Sequence, residues 1–204
     1  MAIQSTPMEN KGLEIKDLVT IGIFTALFFI FELIGSIPFA PNPALTFYQP
    51  FGIALLCGPI FLLMTAKVPK FGAITILGIV NGIIWFVMGM HWAMDLGYVI
   101  MGAAADLVAW TGKHKSVKMN ILAYALFCTG PGGVLIAYAA DPAGWASTML
   151  SKGLSQEYVD SMAAAVPGGM IAGVFLGTLA IALISGILGR AMLKKQFEKA
   201  GITK

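Results

Sequence analysis

Polar residues in this chain gather into short clusters, and six apolar stretches run between them. These cover about 18–37, 46–66, 71–90, 93–111, 118–140 and 166–193. Because roughly 20 apolar residues cross a bilayer core, each stretch predicts a transmembrane helix. The pattern divides the chain into a polar tail 1–17, a six-helix membrane domain 18–193 and a second tail 194–204. The connectors are SIPFAPNPA, KVPK, a GMHW corner, TGKHKSVK and the longer DPAGWASTMLSKGLSQEYVDSM. In the last of these, Trp145, Met149, Leu150, Leu154, Tyr158 and Met162 recur at helical spacing, and Ser155 is placed to cap a helix. Segment 141–165 is therefore expected to be amphipathic, lying on the outer surface or over a cavity. Gly58-Pro59 and Gly130-Pro131 predict breaks in the second and fifth helices.

Composition narrows the class. Of 204 residues, 58% are hydrophobic and 11% charged, against roughly 25% charged in soluble domains. Six spans use up nearly the whole length, so there is no room for a soluble catalytic domain. The first apolar run keeps its full spanning length with no small-x-small cleavage site after it, which predicts a retained helix. Cys57 and Cys128 sit inside apolar runs, where a thiol behaves as a small hydrophobe. The net charge of +3 says less than its distribution. Lys11, Lys16, Lys67, Lys70, Lys113, Lys115, Lys118, Arg190, Lys194, Lys195, Lys199 and Lys204 fall on one side of a six-span topology, and Lys152 alone on the other. By the positive-inside rule the first side is cytoplasmic, with both termini inside. The outward side then holds 37–45, 89–93 and 141–165.

Intramembrane carboxylates are expensive and are read as functional by default. Glu32, Asp95 and Asp106 qualify. Asp95 and Asp106 are eleven residues apart, three turns along one helix stripe and about 16 Å along the axis. Asp106, close to TGKHK, reads as a packing or lysine-pairing group. For Asp95 and Glu32, ligand-binding and structural roles both stand. Outward corner MGMHWAMD places His91 one turn before Asp95, where a hydrogen bond would fix the imidazole tautomer if the helix starts early. Trp85 and Trp92 also fit interfacial belt positions. His91 with Met90 falls short of a metal or haem signature, so substrate contact or gating is the expectation there. Tyr48, Asn81 and Tyr138 complete the residues expected to contact substrate. Gly22 and Ala26, four apart, put a small-residue patch on the first helix, about 80° from Glu32 on the wheel. No P-loop, HExxH or GxSxG is present, so no ATPase, catalytic residue, metal or cofactor is expected.

These residues carry a resemblance. KDLVTIGIFTALFFIFE resembles the first helix of S components, the substrate-binding subunits of energy-coupling factor (ECF) transporters. With CGPIFLLMTAKVPKFGAI, the glycine-rich third span and ADLVAW-TGKHKS, the chain is similar over nearly its whole length to the MptD or Trep_Strep group. MTAKVPKFGA, residues 64–73, is the most distinctive piece. The resemblance implies an ECF S-component-like bundle in a bacterial plasma membrane. Such a protein captures a micronutrient outside, vitamin-like or another small organic molecule, tetrapyrroles included. It delivers the cargo through a transmembrane coupling subunit and two ATPase subunits. The small residues of the first helix, here Gly22 and Ala26, would face the coupling subunit. Nickel and cobalt members use an amino-terminal histidine motif, and residues 1–17 contain no histidine. An aromatic ligand with a basic or hydrogen-bond-donating part would suit Trp85, Trp92, Glu32 and Asp95. The rival expectation is a stand-alone secondary transporter or channel with a proton or cation path through Glu32, Asp95 and Asp106.

Overall fold

The computed structural model describes residues 12–166 and 168–199. The tail residues 1–11 and 200–204, Lys11 and Lys204 among them, lie outside the described residues. The described chain is all-helical: α1 Ile15–Ser36, a 3-10 turn Pro43–Tyr48, α2 Gln49–Leu56, α3 Gly58–Lys67, α4 Ala73–Val87, α5 Trp92–Thr111, α6 Val117–Phe127, a second 3-10 turn Gly130–Gly132, α7 Gly133–Ala140, α8 Pro142–Ser151, α9 Gln156–Ala164 and α10 Met170–Lys199.

Four helical stretches among the described residues are long and apolar enough to cross a membrane: Ile15–Ser36, Trp92–Thr111, Val117–Ala140 and Met170–Lys194. A fifth arises if the bent pair Pro43–Leu56 and Gly58–Lys67 counts as one. The remaining expected span, 71–90, is met by α4, which has only 15 residues, about 22 Å of helix against a hydrocarbon core of roughly 30 Å.

Both expected breaks occur, and their causes are local. Pro59 has no N–H to give the carbonyl of Leu55, four residues back, and the chain bends by 50° there. With no water to satisfy the freed carbonyls inside a bilayer, other helices must do so. Ser185 Oγ of α10 donates to Leu55 O at 2.7 Å, and Tyr124 OH of α6 donates to Ala54 O at 2.8 Å. The break thus ties α2–α3 to α6 and α10. At Gly130-Pro131 the chain passes through a short 3-10 turn before resuming as α7.

The α4–α5 pair packs backbone to backbone through glycines. A β-carbon on Gly78 would lie 2.5 Å from Tyr98 O and 3.1 Å from Gly102 Cα, and one on Gly82 would lie 2.8 Å from Asp95 O. This is the close approach that small residues permit between membrane helices. α1 is different. Its buried stripe is Asp17, Ile21, Thr25, Phe28, Glu32 and Gly35. Gly22 and Ala26 sit on its exposed face, and a β-carbon on Gly22 would meet nothing within 4 Å among the described residues.

The connectors sort to two ends. At one end Glu14 and Asp17 form a capping box on α1, with Glu14 N–H donating to Asp17 Oδ2 at 2.8 Å. Lys70, from the α3–α4 turn, reaches Asp17 at 2.6 Å and Glu14 at 3.5 Å. Lys16 also pairs with Glu14, at 2.9 Å. The two lysines, Lys16 above all, hold the Glu14 carboxyl below its ordinary value. The α5–α6 turn joins this end through Phe71, whose ring meets that of His114 at 6.3 Å. At the other end, Tyr158 OH of α9 lies 2.9 Å from Thr46 Oγ1 and donates to Ala40 O at 2.8 Å. Lys152 Nζ donates to Met90 O and lies 5.9 Å from the Phe86 ring centroid. Loops 37–48, 88–91 and 141–165 therefore meet. The expected amphipathic segment is two short helices, α8 and α9, with Ser155 capping the second by accepting from Tyr158 N–H at 3.2 Å.

Gly78→Leu is expected to force α4 and α5 apart and cost about 1–3 kcal/mol of stability, while Gly22→Leu leaves stability within about 0.5 kcal/mol. Thermal unfolding followed by a thiol-reactive dye, reporting exposure of buried Cys57 and Cys128, checks both. Equal effects of the two substitutions would contradict the packing described.

Candidate functional site

Glu32 anchors a closed polar cluster deep in the bundle. Its side chain is fully buried, and it accepts from three neutral donors on two other helices. Asn81 Nδ2 donates to Oε2 at 2.7 Å, Trp85 Nε1 to Oε2 at 3.1 Å, and Tyr98 OH to Oε1 at 2.5 Å. One carboxylate thereby joins α1 to α4 and α5. Three of the expected substrate contacts, Glu32, Asn81 and Trp85, are brought together, with the Asn81 and Trp85 donors both given to the Glu32 carboxylate and Asn81 Oδ1 buried without a partner among the described residues. Tyr98 was missed by the sequence reading. Its signal was available, since a tyrosine hydroxyl inside an apolar helix must find a partner.

Asp106 is a second internal fastener. Oδ2 accepts from Gly72 N–H at 2.8 Å, Thr75 N–H at 3.1 Å and Thr75 Oγ1 at 2.8 Å, capping the start of α4 from a neighbouring helix. Oδ1 lies 2.8 Å from His114 Nε2. The partner expected among the lysines of TGKHK is thus a histidine. This pairing supports a turn in which Lys113 and His114 both take left-handed backbone angles, φ 52° and 55°, uncommon for residues with a side chain.

The expected His91–Asp95 hydrogen bond is not formed. α5 begins at Trp92, so His91 is its N-cap with extended backbone, and its Nδ1 accepts from Ala93 N–H at 3.1 Å. The one-turn geometry assumed a helix already under way at His91. Both carboxylate oxygens of Asp95 are buried and find no hydrogen-bond partner among the described residues. Accepting at Nδ1 places the proton of a neutral His91 on Nε2. Neither ring nitrogen then offers a free lone pair to a metal or haem iron.

Above these elements is a cavity of about 250 Å³. Its lower wall comes from the α4–α5 corner (Met90, His91, Met94), its side from Pro131 to Leu135, and its roof from the 3-10 turn and α8–α9 (Phe47, Met149, Tyr158, Met162). Among the described residues no Lys, Arg, Asp or Glu lines it. Of the eight residues expected to contact substrate, His91 lines the cavity. Tyr48 and Tyr138 stand beside the roof. Tyr48 packs on Phe51, and Tyr138 packs edge-on to Trp145 at 5.0 Å and donates to Ala163 O at 3.3 Å. Trp92 is 54% exposed, as a belt residue would be. The four methionines of the lining went unrecognised because methionine in an apolar chain reads as packing.

A family model described as a hypothetical bacterial integral membrane protein (Trep_Strep) matches residues 15–199, and the chain belongs to that family. No curated protein and no solved structure matches.

Two measurements test this geometry. Glu32→Leu strands three buried donors, at about 1–3 kcal/mol each when unsatisfied, and should lower the unfolding temperature far more than Glu32→Gln, which can still accept; equal losses would contradict the cluster. Burial first, and then the charge of Lys152, push His91 below its ordinary pKa. A depressed histidine contributes stability above its unfolded value of about 6.5, and that contribution is lost as pH falls through the folded value. NMR titration of the two histidines should place the His91 midpoint below about 6.5, and Lys152→Ala should raise it. A midpoint at or above the ordinary value would overturn the assignment.

Proposed function

We propose, from its membership of the Trep_Strep family of bacterial integral membrane proteins, that this chain is the substrate-binding S component of an ECF-type importer in the bacterial plasma membrane. It captures a small organic micronutrient at the outer face and hands it to a coupling subunit driven by two ATPase subunits. The observation that carries this reading is the apolar cavity roofed by α8–α9 at the end opposite the basic turns. A concave, mostly apolar chamber with a few polar groups is the usual form of a small-molecule site.

Other features support the same reading. Twelve of the thirteen basic residues fall on one side when α2–α3 is counted as a single bent span and α4 as a short one. That count gives six spans with both termini cytoplasmic and the cavity outside. Neighbouring loops and local thinning of the bilayer accommodate a span as short as α4. The exposed face of α1, with Gly22 and Ala26 among Val19, Ile23, Leu27 and Ile30, is flat enough for another helix to lie against closely. The protein itself is a binding module and not an enzyme. Of the rival cation path, Asp106 is the weakest member, since four hydrogen bonds already occupy its oxygens.

Doubly substituted Gly22→Leu, Ala26→Leu protein should co-purify with its coupling subunit at a yield reduced about tenfold or more, with unfolding temperature unchanged. Undiminished assembly would remove α1 as the docking face. Uptake into liposomes by this chain alone, driven by a proton gradient, would instead establish the rival transporter.

A further inference from the structure

The sequence led to a cationic or donor-bearing ligand, drawn by Glu32 and Asp95. The structure removes both carboxylates from the wall and leaves a chamber of different chemistry. Four methionines line it, Met90 and Met94 from the α4–α5 corner and Met149 and Met162 from the roof helices. Phe47, Leu135, Val134, Pro50 and Pro131 add further apolar wall.

Its polar groups are few and mostly committed. Tyr158 gives its proton to Ala40 O, and Thr46 Oγ1 is within reach of Asn42 O at 3.2 Å and of Tyr158 OH. His91 accepts at Nδ1, which leaves Nε2–H as its donor. Gln49 adds an amide. A bound ammonium or carboxylate would be desolvated here with no opposite charge among the described lining residues. Thioethers favour the opposite kind of guest. They adapt in shape and make favourable contacts with aromatic rings.

We propose that this cavity takes a small, uncharged aromatic molecule that turns one hydrogen-bond acceptor, a carbonyl or ring nitrogen, toward Nε2–H of His91. This assignment rests on the binding-subunit reading and names its cargo. The volume supports it, since about 250 Å³ falls below the roughly 300–1,000 Å³ typical for drug-sized ligands. A tetrapyrrole is too large for the chamber in this conformation.

Three fluorinated probes of matched shape separate the classes: para-fluoroacetophenone, which is neutral with a carbonyl acceptor, para-fluorobenzylammonium and para-fluorobenzoate. Binding is read by ligand-observed fluorine NMR on the full chain in nanodiscs near neutral pH. Met94→Trp, which fills the cavity, serves to subtract partition into lipid. Met162→Trp repeats the test from the roof, and thermal unfolding checks that both variants fold. The ketone should bind at least about tenfold more tightly than either ion, lose its binding in both tryptophan variants, and weaken about fivefold to tenfold in His91→Ala, the worth of one hydrogen bond. His91→Asn, which keeps both a cap acceptor and a donor, should restore part of the loss. Tryptophan-sensitive binding that favours either ion would overturn the ligand class, as would ketone binding indifferent to all of these variants. Neither result touches assembly with a coupling subunit, so a wrong ligand class and a wrong binding-subunit reading are told apart.

Discussion

The buried carboxylate of Glu32 governs the arrangement of the rest. Inside a bilayer a polar group has no water to fall back on, so a donor or acceptor left unmatched within the protein is costly. Glu32 meets that demand by collecting Asn81, Trp85 and Tyr98 from two other helices. The rotation of α1 is thereby fixed. Ile21, Thr25 and Phe28 turn inward with Glu32, and Gly22 and Ala26 turn outward. A single polar cluster in the interior thus goes with the outward turn of the small-residue face of the first helix.

The same demand explains the other fasteners. Asp106 satisfies the orphan N–H groups at the start of α4 and steadies the His114 turn. Ser185 and Tyr124 take up the carbonyls released at Pro59. With these bonds made, α4 and α5 slide together on Gly78, Gly82 and Gly102. The end that holds Lys70 and His114 is closed by ion pairs and caps. The opposite end keeps its chamber because bulky apolar groups meet there beneath a roof of two short helices. The two ends therefore differ in chemistry.

Much of this was legible in the sequence. The apolar blocks, the two proline breaks, the cap at Ser155 and the grouping of the three loops at one end follow from hydropathy, charge and turn chemistry. The outward face of Gly22 and Ala26 followed from the 100° step of a helix applied to Glu32. What escaped was non-local. Nothing in the chain order announces that Tyr98 meets Glu32, 66 residues away, or that Asp106 reaches back to cap α4. His91 was placed in the right corner, but its role turned on whether the helix began before or after it, and helix ends are uncertain by a residue or two. The carboxylates drew attention because charge in a membrane is costly. The structure shows that cost met by internal hydrogen bonds at Glu32 and Asp106, while the cavity is built from methionines that composition alone files under packing.

The central claim is that the roofed chamber and the basic turns lie on opposite sides of the membrane, with the chamber outside. Ser151→Cys in α8 and Lys115→Cys in the α5–α6 turn are both exposed positions, and native Cys57 and Cys128 are buried. Intact cells treated with a membrane-impermeant maleimide read the sidedness directly. The account predicts labelling at position 151 in intact cells and at position 115 only after permeabilisation. Labelling at 115 in intact cells, with 151 protected, would contradict it.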